Sequence, residues 1–437
     1  MCHTMPQIGS HRFLLWFMLL FGVLILLPNA LRAQLLGSDR YELRLVPDLW
    51  YNSVDGIRAG VRFRGEDPRT FLDGPHRLSA GIWLATRFPD DPVSYRVSYV
   101  HPIAFISDDL GEGSLRLNST IRTGIYRHEA GIQKRWQPGF DEFVSYDLIL
   151  MAGFYQRYDD AYLIWSSQWQ DDPIIYVRPH FRMRGRNRMG RWTLRISSTG
   201  GWNPSRESLH QDYAGNVADY PGLLGADGLF SKASVELLQQ AHLRYGFFVR
   251  TRLFGGWASD STPPEQRFYP SQAPAFDWIE SGWTRASGTL PSQWFRSGWI
   301  HVPGSAGLRG YTGKTSRLLE SGKAAWIQHS LAINADIGFP NPLSMWLKNR
   351  QWVGEFVRFE SYLLIDAGWV FEPENESSLL WSSGAGVMLS LNIPDYLGQD
   401  RGFFLRYEIP AWVSDPADQE PVLKYRHLLS LGAQFHF

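Results

Sequence analysis

Residues 56–65, GIRAGVRFRG, alternate strictly: Ile57, Ala59, Val61 and Phe63 share one face, while Arg58, Gly60, Arg62 and Arg64 share the other. A side-chain period of two is that of a β-strand, and this strand has one apolar and one wet face. The pattern returns in HRLSAGIWLATR, with Leu78, Ala80, Ile82 and Leu84 on the apolar face. It returns again in VSYRVSYV, with Val93, Tyr95, Val97 and Tyr99 opposite Ser94, Arg96 and Ser98. A soluble sandwich also alternates, but it buries its apolar face and rarely sets arginines opposite it in strand after strand. The periodicity predicts an all-β protein, a transmembrane antiparallel β-barrel whose apolar faces meet lipid and whose polar faces line a lumen.

Turn clusters such as FPDDP, YAGNVADYPG, SDSTPPEQ and SDPADQEP fall between the strand-like runs, and no low-complexity linker, heptad or longer repeat interrupts them. About 400 residues at roughly 25 per strand and connection gives about 16 strands, within the even-numbered range of such barrels. The first strand is expected near residues 41–56. The last, HLLSLGAQFHF, sets Leu429, Leu431, Ala433, Phe435 and Phe437 on one face and Ser430, Gly432, Gln434 and His436 on the other. Closing the barrel requires this strand to pair with the first, because in lipid every backbone N–H and C=O needs a partner.

The run FLLWFMLLFGVLILL, residues 13–27, follows His11-Arg12 and is broken by Pro28 before the small residues Ala30 and Ala33. That length suits a secretory signal better than a bilayer span. Residues 1–33 are therefore expected to be a signal peptide and residues 34–437 the barrel, with no room for a separate periplasmic domain. Cys2, the only cysteine, precedes the run, so neither a disulfide framework nor a thiolate metal site is expected downstream.

Balanced charge, with 43 basic and 43 acidic side chains, argues against a nucleic-acid footprint. No later apolar run is long enough for a membrane helix, yet aromatics make up 15% of the chain, with 19 Trp and 19 Tyr. Aromatic girdles on a barrel would account for them. His128-Glu129 is not followed by the spacing of a zinc protease, and there is no G-x-S-x-G elbow. A Ser–His pair assembled from separate strands would leave no such signature. The reading is of a protein that is not an enzyme and has no cofactor. In the hairpin VRPHFRMRGRNRMGRWTLR, Arg182 and Arg184 alternate with Phe181 and Met183, which fits lumen lining around a short turn at 185–190.

One connection stands apart: GSAGLRGYTGK, residues 304–314, sets a single arginine, Arg309, between Leu308 and Gly310-Tyr311. After it come AAWIQHSLAINADIGFPNPL, FESYLLIDAGWVF, SSGAGVMLSLNIP, GFFLRYEIPAW and the terminal strand. In that order these segments resemble the closing strands of the outer-membrane assembly-factor, or bacterial surface antigen, superfamily. It includes the central barrel of the barrel-assembly machinery and the two-partner secretion transporters. YNSVDGIRAGVRF, residues 51–63, resembles the start of such barrels; between these stretches the likeness is architectural.

The resemblance implies that the loop before the twelfth strand folds back into the lumen and that Arg309, with Gly310 and Tyr311, locks it there. The matching acids are Asp336 in NADIGFP and Asp366 in LIDAG, and Gly368 completes the second motif. Parity agrees: Asp336 shares a face with Asn334 and Gly338, and Asp366 with Gly368. In a wet lumen such a contact would contribute about 1–3 kcal/mol. At Gly338 the superfamily often has a second basic residue. Phe437, Phe435 and Leu431 resemble its insertion signal, and Gly56, Gly60 and Gly432 are compatible with its thin seam between first and last strands. Implied partners are outer-membrane lipid and either unfolded outer-membrane proteins or a secreted polypeptide. Lacking POTRA domains, the chain would alternatively anchor or serve a separate periplasmic partner, such as an aminopeptidase-type zinc enzyme, or act as a passive pore.

Overall fold

In a computed structural model of the chain, residues 42–435 are described apart from 53, 68–75, 88–91, 123, 142, 160–161, 166–167, 171, 204–227, 280–289, 321–326, 351–355, 372–376, 395–399 and 418–419. The expected signal peptide and Phe437 lie outside the described residues, as do the side chains of Ala433 to Phe435.

Sixteen strands follow one another in a single antiparallel sheet in chain order. They are β1 (Glu42–Asn52), β2 (Gly56–Asp67), β3 (His76–Ala85), β4 (Val93–Pro102), β5 (Gly111–Arg122), β6 (Ile125–Trp136), β7 (Ser145–Arg157) and β8 (Ile174–Asn187). The second half runs β9 (Gly190–Trp202), β10 (Leu229–His242), β11 (Phe248–Ala258), β12 (His329–Phe339), β13 (Val357–Phe371), β14 (Ser377–Pro394), β15 (Asp400–Val413) and β16 (Leu428–Phe435). Every strand is paired with its sequence neighbour, and among the described residues no ladder joins β1 to β16.

Alternation decides which face is which. On β12 and β13, Leu331, Ile333, Ile337, Leu363, Ile365 and Trp369 are exposed on the outside, while Ala332, Asp336, Tyr362, Leu364 and Asp366 are buried on the inside. Ile57, Ile82 and Leu84 repeat the outward apolar set on β2 and β3. An outer wall of exposed leucine, isoleucine and tryptophan is costly in water and favourable in hydrocarbon. None of the described helices is long and apolar enough to cross a membrane.

The described parts of the connection 259–328, between β11 and β12, pack inside the sheet. It carries short helices α1 (Ala275–Trp278), α2 (Ser292–Arg296) and α3 (Thr312–Glu320). Phe276 packs on Tyr155 of β7 and Tyr176 of β8, the Glu265 carboxylate accepts from the Tyr155 hydroxyl at 2.6 Å, and Lys232 of β10 donates to the Gln266 carbonyl at 2.9 Å. Farther along, the segment meets β11 through Arg252, β14 through Ser382 and β16 through Leu429. One segment touching strands from β7 round to β16 means that the sheet curls about it. The aromatics are divided accordingly. Trp165, Tyr269, Trp278 and Phe295 form a buried cluster inside rather than a girdle outside.

Candidate functional site: the buried arginine of the lumen segment

The segment approaches the wall through a tight, small-residue turn. Ser305 and Gly307 have positive φ (49° and 65°), the Leu308 N–H donates to the Pro270 carbonyl at 2.9 Å, and residues 309–311 form one 3-10 turn leading into α3. Gly310 is required by proximity, because a Cβ there would lie 2.5 Å from both Ser382 Cβ and Val413 Cγ1. At Gly368 a Cβ would come 3.0 Å from Leu308. Tyr311 ends the approach: its hydroxyl donates to the Trp381 carbonyl at 3.0 Å and lies 2.9 Å from Ser414 Oγ.

These contacts hold Arg309 in place, 5% exposed. Its Nε and Nη2 form a fork on Asp366 (3.0 Å to Oδ2, 2.7 Å to Oδ1), and the Arg309 backbone N–H donates to Asp366 Oδ2 at 3.0 Å. Nη1 serves two further carboxylates, Asp336 at 2.7 Å and Glu408 at 2.8 Å. Three strands, β12, β13 and β15, thus converge on one guanidinium. Asp366 also accepts from Asn334 Nδ2 and Ser382 Oγ, and Glu408 from the Tyr362 hydroxyl. Burial opposes the cation on Arg309, but Asp366, Asp336 and Glu408 together outweigh it and keep the group charged.

The structure therefore brings Arg309, Asp336 and Asp366 together, and it differs from the sequence reading in environment. Asp366 and Glu408 are fully buried, so the contact is dry. Loss of one partner from a buried ion network costs about 3–5 kcal/mol, more than a wet pair would. Glu408 was not singled out; in GFFLRYEIPAW it shares the inner face with Arg406, and alternation gives a face but no partner. The second cation comes from another strand. At Gly338 the space belongs to the Phe248 ring, on which Arg250 of β11 stacks at 4.6 Å. Arg250 reaches Asp336 at 3.5 Å and Glu360 at 2.7 Å.

The seam residues are distributed differently from expectation. Because β1 ends at Asn52, Gly56 and Gly60 lie on β2, one strand in from the edge. Gly56 opens β2 with φ of 69°, and Gly60 makes room for the Trp83 ring. Gly432 and Leu431 are on the edge strand β16, and Gly432 faces the Phe404 ring of β15. Phe435 is the last residue of β16. In the arginine-rich hairpin, Arg182 bonds Asp147 at 3.1 Å and Arg184 bonds Ser145, so both are absorbed by the inner wall.

Two buried groups of the lumen segment are titratable. Burial raises Glu265 to about 7 despite its bond from Tyr155, and burial lowers His301 to about 4, leaving its ring neutral.

No family model matches the chain, and no curated protein matches it. Its structure is similar to BamA from Haemophilus ducreyi lacking POTRA domains 1–3, with 12% identity, a TM-score of 0.44, and coverage of 90% of this chain and 71% of that one. CdiB from Escherichia coli is similar at 13% identity and a TM-score of 0.41, over 89% of this chain and 61% of that one. Wzi from Escherichia coli, a carbohydrate-binding β-barrel involved in capsule assembly, gives 10% identity and a TM-score of 0.25, over 88% of this chain and 83% of that one.

Proposed function

We propose that the chain is a bacterial outer-membrane barrel acting in outer-membrane protein assembly or polypeptide translocation, with residues 259–328 as its plug and Arg309 as the latch. The observation that supports this is the convergence of three inner-wall carboxylates on one arginine of a segment that is also seated against β7, β10, β14 and β16. A fixed pore needs an open lumen, whereas a gated one needs a stopper that seats in one register. The two longest connections, 203–228 and 259–328, share one rim with 158–173 and 414–427, whereas the longest connection at the other rim is 340–356, beside the short turns 188–189 and 243–247. In an outer membrane the long-loop rim faces outward, so the plug hangs from the cell-surface side.

The test is cross-linking in native membranes combined with conductance in lipid bilayers. Capture of nascent barrel proteins or one secreted polypeptide, with larger conductance when Arg309 is replaced, supports the reading. A single folded periplasmic partner would make the chain a membrane anchor. No partner, and conductance indifferent to Arg309, would make it a passive pore.

A further inference from the structure

Residues 299–302 of the plug do more than fill space. The Leu429 N–H donates to the Trp299 carbonyl at 2.6 Å, and the His301 N–H donates to the Leu429 carbonyl at 3.0 Å, forming a parallel bridge between Ile300 and Leu429. Both backbone groups of Leu429 therefore point away from β15, although Leu429 stands opposite Tyr407 in the β15–β16 ladder. They point to the side on which a barrel closes against its first strand.

The far side of the short segment is equally well satisfied. Gln272, fully buried, donates from Nε2 to the Ile300 carbonyl and accepts at Oε1 from the Val302 N–H, both at 3.0 Å. The Ala273 N–H donates to the Val302 carbonyl at 2.9 Å. His301 completes the seat, with Nε2 at 2.9 Å from the Ser271 carbonyl and Nδ1 at 3.4 Å from Ser430 Oγ. Between β16 and Gln272 the backbone of 299–302 behaves as a short added strand.

We propose that residues 299–302 are a resident edge strand occupying the outer end of the side of β16 that faces away from β15, so that unseating the plug and releasing that edge are a single event. An exposed strand edge is an open template for pairing, and here the chain covers part of its own with a segment that is also tied to the Arg309 latch. Another strand gains Leu429 only after the plug has let it go. The inference rests on the plug reading above, but its structural content does not depend on what the barrel transports.

The experiment uses the full chain in a Cys2→Ser background, inserted in membranes. Ile300→Cys with Leu429→Cys should cross-link on mild oxidation, and the locked form should show no large-conductance openings until reductant is added. Leu429→Pro removes the one β16 N–H that the plug uses while leaving the β15 ladder intact, because that N–H faces away from β15. It should speed protease cleavage within residues 290–302 by roughly two- to tenfold, the effect of losing one hydrogen bond. Gln272→Ala, remote from β16, serves as a second route: it should lower the cross-linking yield. No cross-link in an inserted barrel, or protease access unchanged in Leu429→Pro and yield unchanged in Gln272→Ala, overturns the proposal. Cross-linking and loosening as expected, with client handling indifferent to the lock, would leave the edge strand in place and count against the assembly reading instead.

Discussion

Replacing Arg309 separates a fork from a mere charge. In Arg309→Ala, Asp366 keeps Asn334 and Ser382, Glu408 keeps Tyr362, and Asp336 keeps Arg250 at 3.5 Å, but all three carboxylates lose their shared cation. Loss of one partner from a buried pair costs about 3–5 kcal/mol, which moves the seated-to-released ratio of the plug by roughly 150- to 5,000-fold. Arg309→Lys keeps the charge, yet an ammonium cannot hold both oxygens of Asp366 while reaching Asp336 and Glu408. It should forfeit at least one charge-assisted bond, about 1.5–3 kcal/mol. Asp366→Ala added to Arg309→Ala should do little further harm, so the coupling between the two sites should approach the whole cost of Asp366→Ala alone. Protease access to residues 304–314 and single-channel open probability report the plug directly. A lysine variant indistinguishable from the parent, or strictly additive single effects, would refute the latch.

Further expectations concern other parts of the wall and plug. Glu265, ordinarily near 4.5, is raised by burial to about 7, so the seated plug holds a proton that the released plug loses. Seating is then strongest below about pH 4.5 and weakens as pH rises to about 7, by up to about 3 kcal/mol. Glu265→Gln, beside Tyr155 and Gln266, should flatten the pH dependence of open probability between pH 5 and 8; an unchanged profile would assign it to other groups. Gly310→Ala places a Cβ at 2.5 Å from Ser382 and Val413 and should destabilise plug seating by about 1–3 kcal/mol, read as faster proteolysis at 304–314. Cysteines at Val61, Ile82 and Val97 should react with lipid-soluble reagents, and those at Arg62 and Ser98 with water-soluble ones; equal labelling of both sets would contradict the wall's polarity.

How much of this was legible beforehand depended on periodicity. Strands such as β2, β3 and β12 write their two faces at period two, because lipid and lumen demand opposite chemistry from successive residues. Arg309, Asp336 and Asp366 were all singled out by the resemblance of the ordered motifs, and parity only agreed that both acids face inward. The plug was not legible in the same way. SDSTPPEQ reads as a turn, yet it begins a buried segment in which Glu265, Gln266 and Gln272 make specific contacts over long sequence separations. Irregular backbone has no period, so its partners leave no local signal. Glu408 and Arg250 were hidden for a related reason: a charged residue on an inner face is ordinary, and only three-dimensional proximity distinguishes a latch partner from lumen lining. Gly56 was expected at the end of the first strand, but that strand ends at Asn52, and Gly56 and Gly60 both lie on β2.

The geometry around Arg309 also bears on the order in which the chain takes shape. Its carboxylate partners lie 27, 57 and 99 residues downstream, on strands that cannot be dried out while their charges stand uncompensated. Closing such long loops is entropically slow, so the contacts form late unless something local nucleates them. The same cost applies to Arg309 itself, which burial opposes until Asp366, Asp336 and Glu408 outweigh it. Neither the plug turn nor the inner faces of β12, β13 and β15 can be dried alone, so plug and wall are completed together.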